Sequence, residues 1–185
     1  MGRFVLKRIE MTLDPKSIDN AIKEIRELQT DLKEAMQGLV EELAKEGAEI
    51  AKIEITNLGA VDTGALRASI GYGAFDPATR TAIVYAGGYY ACFVEFGTGI
   101  VGQQNPPPSL DKMQDFAVMG GNGTLYTEYD TNKHGEAGWW YRPVGGTRYR
   151  WTKGMPARPF MYNTYLTLKG IAEDYGGKII GEYIR

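Results

Sequence analysis

The sequence is poor in cysteine and histidine, since its 185 residues include one of each, Cys92 and His134. A single cysteine excludes an intrachain disulfide framework and a cysteine-rich zinc site. A single histidine excludes a metal centre built from several histidines and leaves little for a histidine-relayed nucleophile. Uncharged stretches are also short, and none reaches the roughly 20 residues that a membrane helix needs. We therefore expect no cofactor, no metal site and no membrane partner.

Charge is nearly balanced over the whole chain but not along it. The 21 basic and 23 acidic residues give a formal net charge of −2, and 43% of the residues are hydrophobic, enough for a folded core. Residues 14–58 hold 6 basic and 11 acidic side chains, whereas residues 137–172 hold six basic ones and no acidic one. The near-neutral total does not favour a specific nucleic-acid partner. We expect a soluble protein of a reducing compartment.

Residues 14–58 carry the strongest secondary-structure signal, because apolar side chains recur there every three or four positions. This spacing predicts one helix with a continuous apolar stripe. Asp14 is expected to cap it and Pro15 to occupy its first position, where the missing N–H has no cost. A helix of about 40 residues extends about 60 Å, which is longer than a domain of this size covers. Either the helix kinks near Gly38 or Gly47, or part of the stripe contacts another chain. The stripe consists of Ile18, Ile22, Ile25, Leu28, Leu32, Met36, Leu39, Leu43, Ala48, Ile50 and Ile53.

The remainder of the chain predicts short strands and a second helix. An edge strand is expected within residues 4–13, and three consecutive antiparallel strands are expected at 66–74, 79–86 and 90–96 because only short turns separate them. Glycine, proline and aromatic residues dominate from 100 to 158, where 139–141 and 147–152 are expected to form a hairpin. Helical spacing resumes after Pro159.

These signals together predict an α+β fold in one domain, residues 1–185. A long N-terminal helix and a C-terminal helix pack on a small antiparallel β-sheet, and an extended loop or hairpin insertion interrupts the chain. The expected segments are the long amphipathic helix at 14–58, the antiparallel strands at 62–99, the insertion at 100–158 and the C-terminal helix at 159–185.

The tripeptide Asp62-Thr63-Gly64 has the form of an aspartic-protease catalytic loop. In such enzymes two loops of this kind share one proton between their carboxylates. Ile179-Ile180-Gly181 resembles a second element of retroviral-type proteases. A small homodimeric aspartic protease is therefore one alternative, although the catalytic loop should follow a buried strand and here follows a helix. The other interpretation is a turn in which Asp62 caps the next element and Gly64 adopts positive φ.

Residues 97–102 fit the glycine spacing of a dinucleotide-binding loop, with Gly97 and Gly99 as its first two glycines. In that motif the loop leads into a helix whose N-terminus holds the pyrophosphate. Three prolines at 106–108 follow here, and they cannot continue such a helix. We expect these glycines to let the chain leave a strand and enter a loop.

Aromatic residues alternate with arginines in residues 139–151. Two interpretations are equally favoured: the tryptophans fix a long loop to the sheet, or they form a protein interface, where tryptophan and arginine are common anchors. Single-stranded nucleic acid and sugars are weaker possibilities as ligands. The candidate interface residues are Trp139, Trp140, Tyr141, Arg148, Arg150 and Trp151.

Three short motifs occur in order between the first and last predicted helices. Residues 62–70 read DTGALRASI, residues 89–99 read YYACFVEFGTG and residues 154–161 read GMPARPFM. Their order resembles that in the minor tail-component family of tailed bacteriophages, over roughly residues 17–175. Residues 102–154 form a longer insertion than in compact members.

The resemblance implies a structural role without catalysis or cofactor. Members are thought to act in the neck of the virion as tail-completion or head–tail joining proteins. The resemblance implies a ring of copies, expected to be a hexamer, with phage neck, connector or tail-tube proteins as partners. Such a protein is made in the bacterial host cytoplasm and resides in the virion. It also implies structural turns at Asp62, Thr63, Gly64, Gly97 and Gly99, and a polar group near a strand end at Glu95.

Overall fold

The fold is seen in a computed structural model, which describes residues 9–88, 90–105, 118–119, 125–126, 138–143 and 146–183. Two long helices and short antiparallel strand pairs make up the described part, so the predicted α+β class is confirmed. The helices are α1 (Pro15–Asn57), α2 (Ala65–Ala68), α3 (Ala91–Phe96), α4 (Gly99–Gln104) and α5 (Phe160–Tyr183). The strands are β1 (Ile70–Tyr72), β2 (Val84–Ala86), β3 (Val118–Met119), β4 (Leu125–Tyr126), β5 (Trp139–Tyr141) and β6 (Arg150–Thr152).

Helix α1 begins as predicted and runs through 43 residues, about 65 Å at 1.5 Å per residue. The Asp14 carboxylate accepts a hydrogen bond of 3.2 Å from the Ser17 backbone N–H, and Pro15 opens the helix. A kink near Gly47 was one expectation for this helix. Gly47 instead lies where two other elements pack closely against α1. A Cβ added there would lie 2.7 Å from Leu168 Cδ1 of α5 and 2.9 Å from Val84 Cγ2 of β2. The glycine therefore lets α5 and β2 approach α1 closely.

The expected strands are only partly present. β1 and β2 pair antiparallel, with Gly71 opposite Tyr85, but the expected first strand begins with the short helix α2. The segment expected to be a strand at 90–96 instead forms α3, which begins after its N-cap Tyr90 and buries most of its side chains. An apolar run of this length has no periodicity that separates a strand from a buried helix, so packing decides between them. Residues 9–13 form no strand, and residues 4–8 lie outside the described part.

One hydrophobic cluster joins α1, α2, β1, α3 and α5. Its buried members are Ala48, Ala51, Ile55, Leu66, Ile70, Ala91, Val94 and Phe160. Helix α5 also contacts α1 through a polar pair, in which Asn163 Nδ2 donates to Glu54 Oε2 at 2.9 Å. The core therefore lies along the C-terminal half of α1, and it leaves the N-terminal half of that helix extending beyond it.

The expected hairpin in the insertion is confirmed. Strands β5 and β6 pair antiparallel, with Trp140 opposite Trp151. Among the helices that the structure describes, none combines the length and apolar character needed to cross a lipid bilayer.

Candidate functional site

The three sequence motifs meet in the core although they are far apart in the chain. Residues 62–70 contribute Leu66 and Ile70 to the cluster, residues 89–99 contribute Ala91 and Val94, and residues 154–161 contribute Phe160. The three motifs therefore pack together in one junction, which joins the C-terminal half of α1 to the start of α5.

A C-terminal strap, residues 153–158, runs along the segment that contains α3 and α4. Thr98 and Met155 exchange backbone hydrogen bonds, with N···O distances of 2.9 and 3.2 Å. The Arg158 N–H donates to the Val94 carbonyl at 2.8 Å. Gly154 makes the close approach possible, since its φ is +106° and an added Cβ would overlap the Thr98 carbonyl oxygen. The strap thereby fixes the position from which α5 starts.

Glu95 is the buried polar centre of this junction. Its side chain is fully buried, and its two carboxyl oxygens accept hydrogen bonds from the first turn of α5. Oε2 accepts from the Met161 N–H at 2.9 Å, and Oε1 accepts from the Tyr162 N–H at 3.0 Å. These N–H groups have no partner inside the helix, so Glu95 caps α5 from 66 residues away. Glu95 was expected near a strand end; it lies in α3 instead because that segment is a buried helix.

Burial raises the pKa of Glu95 from its ordinary 4.5 to about 7, although the hydrogen bonds from the start of α5 lower it. Between these two values the folded chain binds a proton that the unfolded chain has lost. We therefore expect the free energy of unfolding to decrease as pH rises from about 4.5 to about 7, by about 3 kcal/mol from this group.

Urea denaturation at about pH 5 and about pH 8 tests this pH dependence. The wild type should lose more stability between the two conditions than Glu95→Gln, whose side chain does not titrate. An equal loss in both proteins would contradict the assignment to Glu95.

The Asp62-Thr63-Gly64 segment forms a turn on the surface. The side chains of Asp62 and Thr63 are exposed, and Gly64 has a φ of +81° and precedes α2. The expected cap by Asp62 is wrong, because Gly64 occupies the N-cap position of α2, and the Thr63 hydroxyl accepts a bond of 3.4 Å from the Ala65 N–H. Residues 179–181 lie within α5. The protease alternative is unsupported, because no buried strand presents the carboxylate.

The glycines at 97–102 connect two short helices and do not leave a strand. Gly97 has a φ of +78° and ends α3, and α4 begins at Gly99, whose φ is +60°. The expectation of a loop directly after these glycines is wrong, since α4 ends before the three prolines. Thr98, between the two glycines, is extended and pairs with Met155. A glycine with positive φ on each side of it turns the chain out of α3 and into α4.

The β5–β6 hairpin presents an exposed surface, which we call the aromatic patch. Trp140 and Trp151 pack edge to face with ring centroids 5.5 Å apart, yet 63% and 48% of their surfaces remain exposed. The Arg142 Nε donates to the Gly146 carbonyl at 2.8 Å and closes the turn. The side chain of Trp139 lies outside the described residues. The name covers the exposed side chains on both faces of the hairpin, which are Trp140, Tyr141, Arg148, Tyr149, Arg150 and Trp151.

Paired tryptophans with arginines around them are typical of interface anchors, which pack into a partner's pocket. Five of the six predicted interface residues are exposed on this hairpin, the side chain of Trp139 being the exception noted above. Trp140 and Trp151 share one face, whereas the next cross-strand pair, Tyr141 and Arg150, points to the other face. Tyr149, which the candidate set left out, is 65% exposed and lies next to β6 in the same hairpin.

Comparison with known proteins gives one family. Residues 19–97 match the family described as "Bacteriophage HK97-gp10, putative tail-component". The match contains most of α1, the first motif and most of the second, and it confirms the resemblance found in the sequence over that part of the chain. No curated protein and no solved structure matches the chain.

The tail-component match covers less than half of the chain and ends two residues after Glu95. The aromatic patch, the strap and α5 all lie beyond it. Glu95 therefore connects the matched segment to α5. An acidic residue inside an otherwise apolar run, at 90–96, was the signal in the sequence that such a buried polar contact existed.

Proposed function

We propose that this protein is a structural component of the virion neck, which completes the tail and joins it to the head. In this role copies of the chain assemble as a ring, expected to be a hexamer, and contact phage neck, connector or tail-tube proteins. The role needs no catalysis. The tail-component family of residues 19–97 supports the virion part of this proposal.

The observation that carries the joining role is the presence of two separate exposed apolar surfaces on one chain. One is the aromatic patch, and the other is the stripe on the N-terminal half of α1, where Ile25 and Met36 are both 46% exposed. Large exposed apolar surfaces on a folded protein mark interaction sites. We infer that the chain binds one neighbour through each surface. Contacts between unlike surfaces of identical copies form a ring where the rotation from copy to copy closes.

Replacing both Trp140 and Trp151 by alanine tests the role of the aromatic patch. Because both side chains are exposed, the variant should fold and melt like the wild type. It should fail to restore joined particles when it complements a phage that lacks the gene, with infectious titre reduced by orders of magnitude. Tyr72→Ala, which removes an exposed aromatic side chain on β1, is the matched control and should complement fully. Full infectivity of the double variant would contradict the proposal.

A further inference from the structure

A groove of about 520 Å³ lies between α1 and the loop that connects β1 to β2. Its walls are mostly apolar, and none of the described residues that line it is acidic. On the helix side Leu32 and Met36 are 38% and 46% exposed, so the apolar wall is accessible to a ligand. A volume of this size is in the range of ligand sites. The lining consists of Leu32, Lys33, Met36, Gln37 and Val40 from α1 and of Phe75, Pro77 and Arg80 from the loop.

One cationic side chain lies on each side of the groove, Lys33 on the helix and Arg80 on the loop. Both are exposed, and neither side chain forms an ion pair or a hydrogen bond with a residue that the structure describes. The carboxylates of α1 in this region point elsewhere. Counting about 100° per residue, Asp31, Glu34 and Glu41 lie about 100° or more around the helix axis from the middle of the lining face. Two unpaired cations beside an apolar wall favour a ligand that carries a carboxylate.

Arg80 has a backbone conformation that is unusual for arginine. Its φ of +57° is the only positive value at a non-glycine residue in the described part of the chain. The turn around it is well fixed, since Asp76 and Thr81 exchange backbone hydrogen bonds of 2.8 and 3.3 Å. The Asp76 carboxylate also accepts bonds from the Ala78 N–H and the Thr79 hydroxyl. Glycine would fit the position of Arg80 without strain, so the turn does not require an arginine, whereas recognition of a carboxylate does use a guanidinium.

We propose that this groove binds a segment of another virion protein, one that carries large apolar side chains and at least one carboxylate. The apolar side chains pack on Leu32 and Met36, and the carboxylate lies between Lys33 and Arg80. The aromatic patch of a second copy does not fit, because its arginines would face these two cations. This contact rests on the proposed function, since the partner comes from the virion, and it gives the chemistry of a partner for the exposed stripe of α1.

An array of overlapping peptides from every structural protein of the phage, this chain included, tests the contact. The array is probed with the purified full chain and with its Lys33→Glu, Arg80→Gly double variant. At least one segment of another protein should bind the wild type and be lost with the double variant, and it should contain a carboxylate next to large apolar side chains. The same peptide with its carboxylates replaced by amides should bind about tenfold more weakly or worse, measured by fluorescence anisotropy.

Arg80→Gly is the decisive single variant, because it removes the guanidinium and relieves the backbone at the same time. It should unfold at about the same urea concentration as the wild type, yet bind the peptide about threefold more weakly or worse. Lys33→Glu should weaken binding by at least as much. Lys23→Glu makes the same charge change on α1 outside the groove, where the Lys23 side chain is 77% exposed and its ion pair with Glu27 contributes little. This control should bind like the wild type.

Three results would each overturn the contact. They are binding of segments from this chain alone, a double variant that retains every segment, and lost segments that contain no carboxylate. Equal binding by Arg80→Gly and the wild type would do the same. Because the array holds every structural protein and not those of the neck alone, the contact can be found where the neck function fails. An array without such a segment would leave the neck function to be decided on the virion itself.

Discussion

Replacing Glu95 by alanine is expected to destabilise the folded chain by about 3 kcal/mol or more. The change removes the acceptors for the Met161 and Tyr162 N–H groups and leaves a cavity in a fully buried position. Unsatisfied buried donors cost about 1–3 kcal/mol each, and the cavity adds to this. In a chain of this length the melting temperature should fall by roughly 10 °C, measured by thermal unfolding monitored by circular dichroism.

Glu46→Ala is the matched control for the Glu95 variant. Glu46 is exposed on α1, so its removal should change the free energy of unfolding by no more than about 0.5 kcal/mol. If Glu95→Ala proved as stable as Glu46→Ala, the carboxyl group would not be the cap of α5.

Gly154→Ala is expected to separate the strap from the segment beneath it. The added Cβ would overlap the carbonyl oxygen of Thr98, and a φ of +106° is unfavourable for alanine. The hydrogen bonds between Thr98 and Met155 should break, and the free energy of unfolding should fall by at least about 3 kcal/mol. Hydrogen exchange should show faster exchange of the Thr98 and Met155 amides, and urea denaturation should show the loss of stability.

Gly170→Ala is the matched control for Gly154→Ala, because the same glycine-to-alanine change is expected to raise stability at residue 170. Gly170 lies inside α5, and a Cβ there would meet no atom within 4 Å. Alanine is a better helix former by about 1 kcal/mol, so this variant should be slightly more stable than the wild type. Equal stability of the two alanine variants would show that the strap tolerates a side chain at residue 154.

Local signals in the sequence predicted the two long helices and the aromatic hairpin. The cap at Asp14, the proline after it and the three-and-four spacing of apolar residues all act within one helix, so they need no knowledge of distant parts. The pairing of Trp140 with Trp151 follows in the same way from the two aromatic arms and the glycines between them.

The junction around Glu95 could not be predicted in the same way. Most residues from 90 to 96 are apolar because α3 is buried around most of its circumference. A run of this kind lacks the periodicity that distinguishes a helix from a strand. The cap that Glu95 provides depends on a helix that starts 65 positions later in the chain, and only the folded structure brings the two together.

The motif around Asp62 shows that a short sequence pattern can also predict a site that the fold does not form. A short sequence pattern suggested a catalytic carboxylate, but an exposed Asp62 on a turn after a long helix has none of the burial that such chemistry requires. The same residues serve to turn the chain from α1 into α2, with Gly64 supplying the left-handed conformation.

Cryo-electron microscopy of the intact virion tests the proposed neck function most directly. The proposed function predicts a closed ring of this chain between the head connector and the tail tube. A particle that lacks the protein, or that carries it only at the far end of the tail, would contradict the account.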